Sequence, residues 1–220
     1  MNQRIRLWIH SIVAPHGKQA FVRKIRHNGK VLDLGCGNNS PMLVKKARPD
    51  IEYWGIDVAD YNNGQGKQYA DRYILVEPDG FADAIKELPV KFDAIISSHN
   101  IEHCNKPKET IEAFLGKLTN EGMLYFAFPS EKSVEFPKRQ GTLNFYDDMS
   151  HIYMPEYKDI LKILRKNGID ICFARKKYKP FLLAVVGGCL EPLSKRKQKV
   201  FPGTWAYWGF ETKIWGKKII

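Results

Sequence analysis

Apolar residues recur along this chain in two rhythms, and each rhythm predicts an element. Ile5, Trp8, Ile9, Ile12 and Val13 return every three or four positions, which predicts an amphipathic helix ending near Pro15 and Gly17. Its apolar stripe is expected to pack on the rest of the domain. Short apolar runs then alternate with helical patterns: strand KVLDL, helix SPMLVKKAR, strand IEYWGID, a polar turn YNNGQGKQ, strand RYILV, helix GFADAIKEL, strand FDAIISS, helix KPKETIEAFLGKL and strand MLYFAFP. Parallel neighbours need a crossover between them, so these strands and helices predict a doubly wound, Rossmann-like α/β sheet, mostly parallel.

After Pro129 the rhythm lapses into SEKSVEFPKRQGTLNFYDDMSHIYMP, a stretch too long for a plain connection. Its aromatics Phe136, Phe145, Tyr146 and Tyr153 predict an ordered cover over a substrate. A helix, EYKDILKILRKNG, and a strand, IDICFARKK, follow. PFLLAVVGGCLEPLSKRKQK reads as an apolar helical piece and a basic loop. TWAYWGFETKIWGKK reads as a last strand whose alternating aromatics form one face of the core.

A chain of 220 residues is expected to fold as one domain, and no apolar run approaches the length of a membrane span. Arg4, Arg6 and His10 interrupt the first apolar residues, so a secretory signal is not expected and a cytoplasmic location is. Cys36, Cys104, Cys172 and Cys189 lie far apart with no Cys-x-x-Cys pair, the pattern of reduced thiols. The net charge of +11 is unevenly spread. Residues 1–30 hold seven Lys/Arg and no acid, residues 31–171 seventeen against twenty-two, and residues 172–220 eleven against two. Basic ends flank an acidic middle, an arrangement that attracts an anionic substrate, nucleic acid or an acidic membrane surface.

The stretch KVLDLGCGNNS places Asp33 two residues before a turn made by Gly35 and Gly37. A carboxylate there opposes a pyrophosphate and favours a cation. S-adenosylmethionine (SAM) carries an ammonium and a sulfonium and no phosphate, so it suits the turn. Asp57, about twenty residues beyond the glycines, is placed to accept hydrogen bonds from a ribose.

With acid, turn and second acid together, the sequence resembles the class I SAM-dependent methyltransferases. VLDLGCGNN matches their glycine motif, with Asn39 at the third glycine position, Asp57 their ribose acid, and FDAIISSHNIEHC the strand leading to their active site. The tail NFYDDMSHIYMPEYKDILKILRKNGI looks like a segment of methyltransferases that act in bacterial surface-polysaccharide and related small-molecule pathways. The resemblance implies seven strands with the last antiparallel, SAM as cofactor and S-adenosylhomocysteine (SAH) as product. The expected organisation is a basic amphipathic helix over 1–28 and a methyltransferase domain over 29–220, with substrate covers near 129–155 and 178–204.

The cofactor is expected against Asp33, Gly35, Cys36 and Gly37, then Asp57 and Val58, with Asp79 and Gly80 toward the adenine and Ser98 at the exit of the fourth strand. A hydroxyl acceptor must lose a proton, for which histidine is the natural base. His99, His103 and His151 fall where the family places its active site. His99 and His103 have the spacing of one helix face, and Asp147 or Asp148 could orient His151. The run His99-x-x-Glu102-His103 superficially resembles a zinc motif, but it also matches a Glu-His pair with a structural or cofactor-side role in the family, so no metal is expected.

SSHN stands where enzymes that methylate the amino groups of bases carry an Asn/Asp-Pro-Pro-aromatic run. That favours O-methylation of a sugar, a glycan precursor or another small hydroxylated acceptor, anionic or lipid-linked. The first helix would then touch the inner face of a membrane. A nucleic-acid methyltransferase using the basic ends, and a SAM-binding regulatory protein without turnover, are the alternatives.

Overall fold

The computed structural model describes residues 3–37, 39–60 and 66–219. The expected polar turn over 61–68 therefore falls largely outside the described residues.

Seven strands form one sheet in the order β3-β2-β1-β4-β5-β7-β6. They are β1 (Lys30–Leu34), β2 (Glu52–Asp57), β3 (Arg72–Leu75), β4 (Phe92–Ser98), β5 (Leu118–Pro129), β6 (Ile169–Arg175) and β7 (Glu211–Lys218). The first five pair in parallel and β7 is antiparallel, as expected; it lies between β5 and β6 and pairs with both. The central strands read as near-continuous apolar runs because helices cover both of their faces. Alternate side chains divide between two cores. Leu32 and Leu34 join Trp54, Phe92 and Phe126 beneath α4 (Phe81–Glu87), α5 (Pro107–Gly116) and α6 (Tyr157–Lys166). Val31 joins Phe21, Tyr53, Tyr125 and Trp215 on the other face, beneath α2 (Lys18–Lys24) and α3 (Ser40–Ala47). Strand order reverses between β1 and β4, and the carboxyl ends of those two strands open the crevice where such sheets take ligands.

Three expectations are corrected. The first helix, α1 (Gln3–Val13), exposes the stripe expected to pack: Ile5, Trp8, Ile9 and Ile12 face solvent, while Leu7 and Ala14 are buried. The reason is the unanticipated α2, whose Phe21 and Val22 fill the core in place of that stripe. TWAYW forms a helix, α8 (Thr204–Trp208), because Gly203 and Gly209 bracket it with left-handed φ of 82° and 70°, and strand begins only at Glu211. The expected basic loop is the end of α7 (Phe181–Lys197), where Lys195, Arg196 and Lys197 complement the negative end of the helix dipole.

The stretch after β5 is ordered by one carboxylate. Asp147 accepts the backbone N–H groups of Arg139, Leu143 and Asn144 at 3.0, 2.9 and 2.8 Å. Asn144 in turn donates to the carbonyls of Val134 and Phe136, and Phe145 is buried.

Candidate active site

Where β1 ends, Gly35 and Gly37 turn the chain with φ of 60° and 55°. Gly35 is required twice over, since a Cβ there would stand 2.6 Å from Asn100 Oδ1 as well as straining the backbone. At Gly37 the space is open: apart from its chain neighbours, no atom of the described residues lies within 4 Å of an added Cβ. Asp57 closes this turn from the end of β2, accepting the Gly37 N–H at 2.6 Å and the Val58 N–H at 2.8 Å. Burial raises its carboxyl pKa, against the lowering effect of those backbone donors.

Two cavities meet beside the turn. The first, about 500 Å³, runs along Gly37, Asp57, Val58 and Phe81 to His103 and Asp148. Its described lining contains no Lys or Arg, a donor set that would leave a pyrophosphate uncompensated and suits a cationic nucleoside. The open face of Gly37, the ribose-side acid Asp57 and this lack of cations together fit SAM. The second cavity, about 630 Å³, is basic and aromatic, with Arg6, His10, Lys18, Tyr125, Trp205 and Lys213 in its wall. His99 lines both.

His99 leaves β4 in a left-handed conformation, φ 53°. Its Nδ1 lies 3.0 Å from Glu102 and its Nε2 3.1 Å from Glu211 on β7. Burial alone would lower its pKa, but the hydrogen bonds to both carboxylates outweigh burial and push it up to about 9. With both nitrogens donating, His99 has no lone pair to take a proton. Glu211 continues the chain to Lys213 at 3.0 Å. Burial would raise the Glu211 pKa, and the Lys213 and His99 charges bring it down to about 2. Glu102, His99, Glu211 and Lys213 thus alternate in sign through the floor between the cavities. Trp205 and Phe210 wall the same imidazole, with ring centroids 5.2 and 6.0 Å away.

His103 and His151 form a second pair, ring centroids 4.8 Å apart. They come from different segments: His103 ends a short 3-10 turn after β4, so it shares no helix face with His99, and His151 belongs to the cover stretch. Nδ1 of His151 lies 2.6 Å from the Phe145 carbonyl oxygen. A carbonyl only accepts, so that contact orients the ring, whereas Asp147 is committed to backbone and Asp148 stands 3.9 Å from Nε2.

Other expected residues are placed differently. Asp33 is fully buried and lines neither cavity; its Oδ2 accepts from Lys18 and Tyr53 at 2.8 and 2.7 Å and from Ser40. Cys36 turns its side chain into the core against Gly55, so only its backbone stays at the turn, and burial raises its thiol pKa. Asp79 is exposed and accepts from Asn105 at 2.6 Å; it and Gly80 stay out of the first cavity, which is lined instead by Pro78 and Phe81. Ser98 lines the second cavity. Sequence reasoning missed Lys18, His10, Glu211 and Lys213. For the last two a signal existed: Glu211 and Lys213 stand at alternate positions of one strand, which puts both on the same face of the sheet.

The family model described as "Methyltransferase domain" matches residues 3–172. An uncharacterized protein of Methanocaldococcus jannaschii is 26% identical over 157 residues, 67% of this chain and 42% of that protein. An mRNA cap guanine-N(7) methyltransferase of Cryptococcus neoformans var. neoformans serotype D is 29% identical over 126 residues, 55% of this chain and 17% of that protein. The chain thus spans less than half the length of the curated relatives it matches. Among solved structures, the plantazolicin methyltransferase BpumL in complex with SAH superposes with a TM-score of 0.62 at 16% identity, covering 96% of this chain and 84% of that one.

Proposed function

Because the chain belongs to the methyltransferase-domain family of the class I SAM-dependent methyltransferases, we propose that it methylates a hydroxyl of a sugar, a glycan precursor or another small hydroxylated acceptor. The observation that carries this reading is that His99 lines both cavities, so the cofactor side and the basic, aromatic side of the crevice adjoin at one imidazole. Methyl transfer is an in-line displacement in which the protein mainly aligns the partners. When bound, SAM supplies an already activated methyl group. Asp57 would hold the ribose hydroxyls, and the bare backbone at Gly37 allows close approach. His103 lines the first cavity with His151 packed behind it, and this pair is the candidate to take the proton that the acceptor hydroxyl gives up.

The second cavity supports an anionic acceptor, since Arg6, Lys18 and Lys213 reach it. It is roofed by α1, whose opposite side exposes Ile5, Trp8, Ile9 and Ile12. Ile12 shares a groove with Phe181 and Leu182 among Arg175, Lys177 and Lys179. Apolar side chains set among cations suit the surface of an anionic membrane, which favours a lipid-linked acceptor and a position on the inner, cytoplasmic face. None of the described helices is long and apolar enough to cross a membrane, so such contact would be peripheral.

A second reading, an RNA methyltransferase, is favoured by the likeness to the cap enzyme and by the charge of +11. Labelled SAM offered with nucleotide sugars, lipid-linked glycans and RNA separates the readings. Transfer to a glycan is expected and should vanish in Asp57→Ala together with SAH binding. Transfer to RNA alone, with steep salt dependence, would replace the glycan. SAH binding without transfer to any acceptor would leave a regulatory SAM-binding protein.

A further inference from the structure

We infer that Glu102, His103 and His151 form a site for one divalent transition-metal ion behind the wall of the first cavity, which His103 lines. One ligand atom from each residue lies within 4.8 Å of the other two. Three atoms bound to one ion at about 2.1 Å each stand about 3.5 Å from one another, so the cluster has to close by at most about 1.3 Å, within reach of small side-chain rotations. Two imidazoles and one carboxylate are a donor set for zinc, iron, cobalt or manganese.

Glu102 supplies the independent observation. Its side chain is fully buried, one oxygen faces His99, and Oε2 has no hydrogen-bond partner among the described residues. Burying a carboxylate oxygen unpaired is costly, and a cation bound there removes the cost. The two rings are prepared in the same sense. Nδ1 of His151 faces the Phe145 carbonyl, and Nδ1 of His103 lies 3.2 Å from the Ser150 carbonyl oxygen. Ser150 Oγ also lies 3.0 Å from His103 Nδ1 and donates its own hydrogen to Asp148, so acceptors face Nδ1 of both rings, which favours a proton there and the Nε2 lone pair for an ion, the outer-shell arrangement typical of metal-bound histidines. Asp148, 3.9 Å from His151 Nε2, is near enough to become a fourth ligand or to hold a bound water. His99 takes no part, because both of its nitrogens are occupied.

His103 and Asp148 line the cavity that Gly37 and Asp57 open, so an ion held by His103 would border the cofactor's cavity. A hydroxyl bound to such an ion becomes more acidic, which is the task left to this histidine pair. To that extent the ion's role rests on the proposed reaction; its binding does not.

The test is a cobalt(II) titration of the EDTA-stripped, desalted protein, followed by visible absorption, with SAH binding measured calorimetrically on the same samples. One equivalent should bind, and Glu102→Gln and His103→Ala should each weaken it at least about tenfold. His103 is partly exposed, so His103→Ala keeps the test informative even if the buried His151→Ala fails to fold. Absence of saturable cobalt binding, or equal affinity in both variants, overturns the site. Cobalt binding without SAH binding would instead overturn the methyltransferase reading alone.

Discussion

Lys18 Nζ stands 2.8 Å from Asp33 Oδ2, so an ammonium does meet the carboxylate ahead of the glycine turn, and it belongs to the protein itself. Lys18 also lines the second cavity, which ties the first turn of α2 to the floor of the crevice. Lys18→Met should destabilise the fold by about 1–3 kcal/mol, because it leaves Asp33 buried with two hydroxyl donors and no counter-charge. Adding Asp33→Asn should recover part of that loss. Urea denaturation of the two single variants and the double variant checks it, and strictly additive losses would refute the coupling.

The two glycines of the turn should separate fold from function. Gly35→Ala meets both a left-handed φ and Asn100, so it should lower the melting temperature markedly. Gly37→Ala pays only the backbone strain and puts its methyl group in open space at the cavity edge. It should keep most of the stability and weaken SAH binding at least about tenfold, read by calorimetry beside thermal melts.

Glu211 gives the pH dependence. Its folded pKa, about 2, lies below the ordinary 4.5, so its contribution to stability is complete above 4.5 and is lost as pH falls through about 2. Glu211→Gln should therefore be less stable at pH 6 and show a shallower loss of stability between pH 5 and 2. Denaturant midpoints across that range measure both.

Exposure of the α1 stripe predicts lipid binding. Vesicles containing phosphatidylglycerol should sediment with the protein, and Trp8→Asp combined with Ile12→Asp should cut the bound fraction at least about tenfold. Equal binding by the variant, or binding to neutral vesicles alone, would remove the membrane from the proposal.

What the sequence made legible followed from local chemistry. The order of strands and helices, the turn at Gly35 and Gly37, and the acid at Asp57 are each written in a few neighbouring residues. Contacts made by tertiary packing were not. No local pattern announces that Phe21 rather than Trp8 fills the core over β1, or that Lys18 settles on Asp33. The sequence groups His99, His103 and His151, but their division into a doubly engaged imidazole and a pair whose Nδ1 atoms face backbone carbonyls depends on Glu211 and on Phe145 and Ser150. Those partners arrive from segments distant in sequence.

The insertion of β7 between β5 and β6 has a consequence for biogenesis. β6 emerges from a ribosome before the strand that must separate it from β5, so a nascent chain carrying six strands has a vacant slot in its sheet. Only when that slot is filled does His99 gain its second carboxylate. A partly translated chain would thus carry an unfinished reaction centre, and arrival of the inserted strand would couple completion of the sheet to the onset of chemistry.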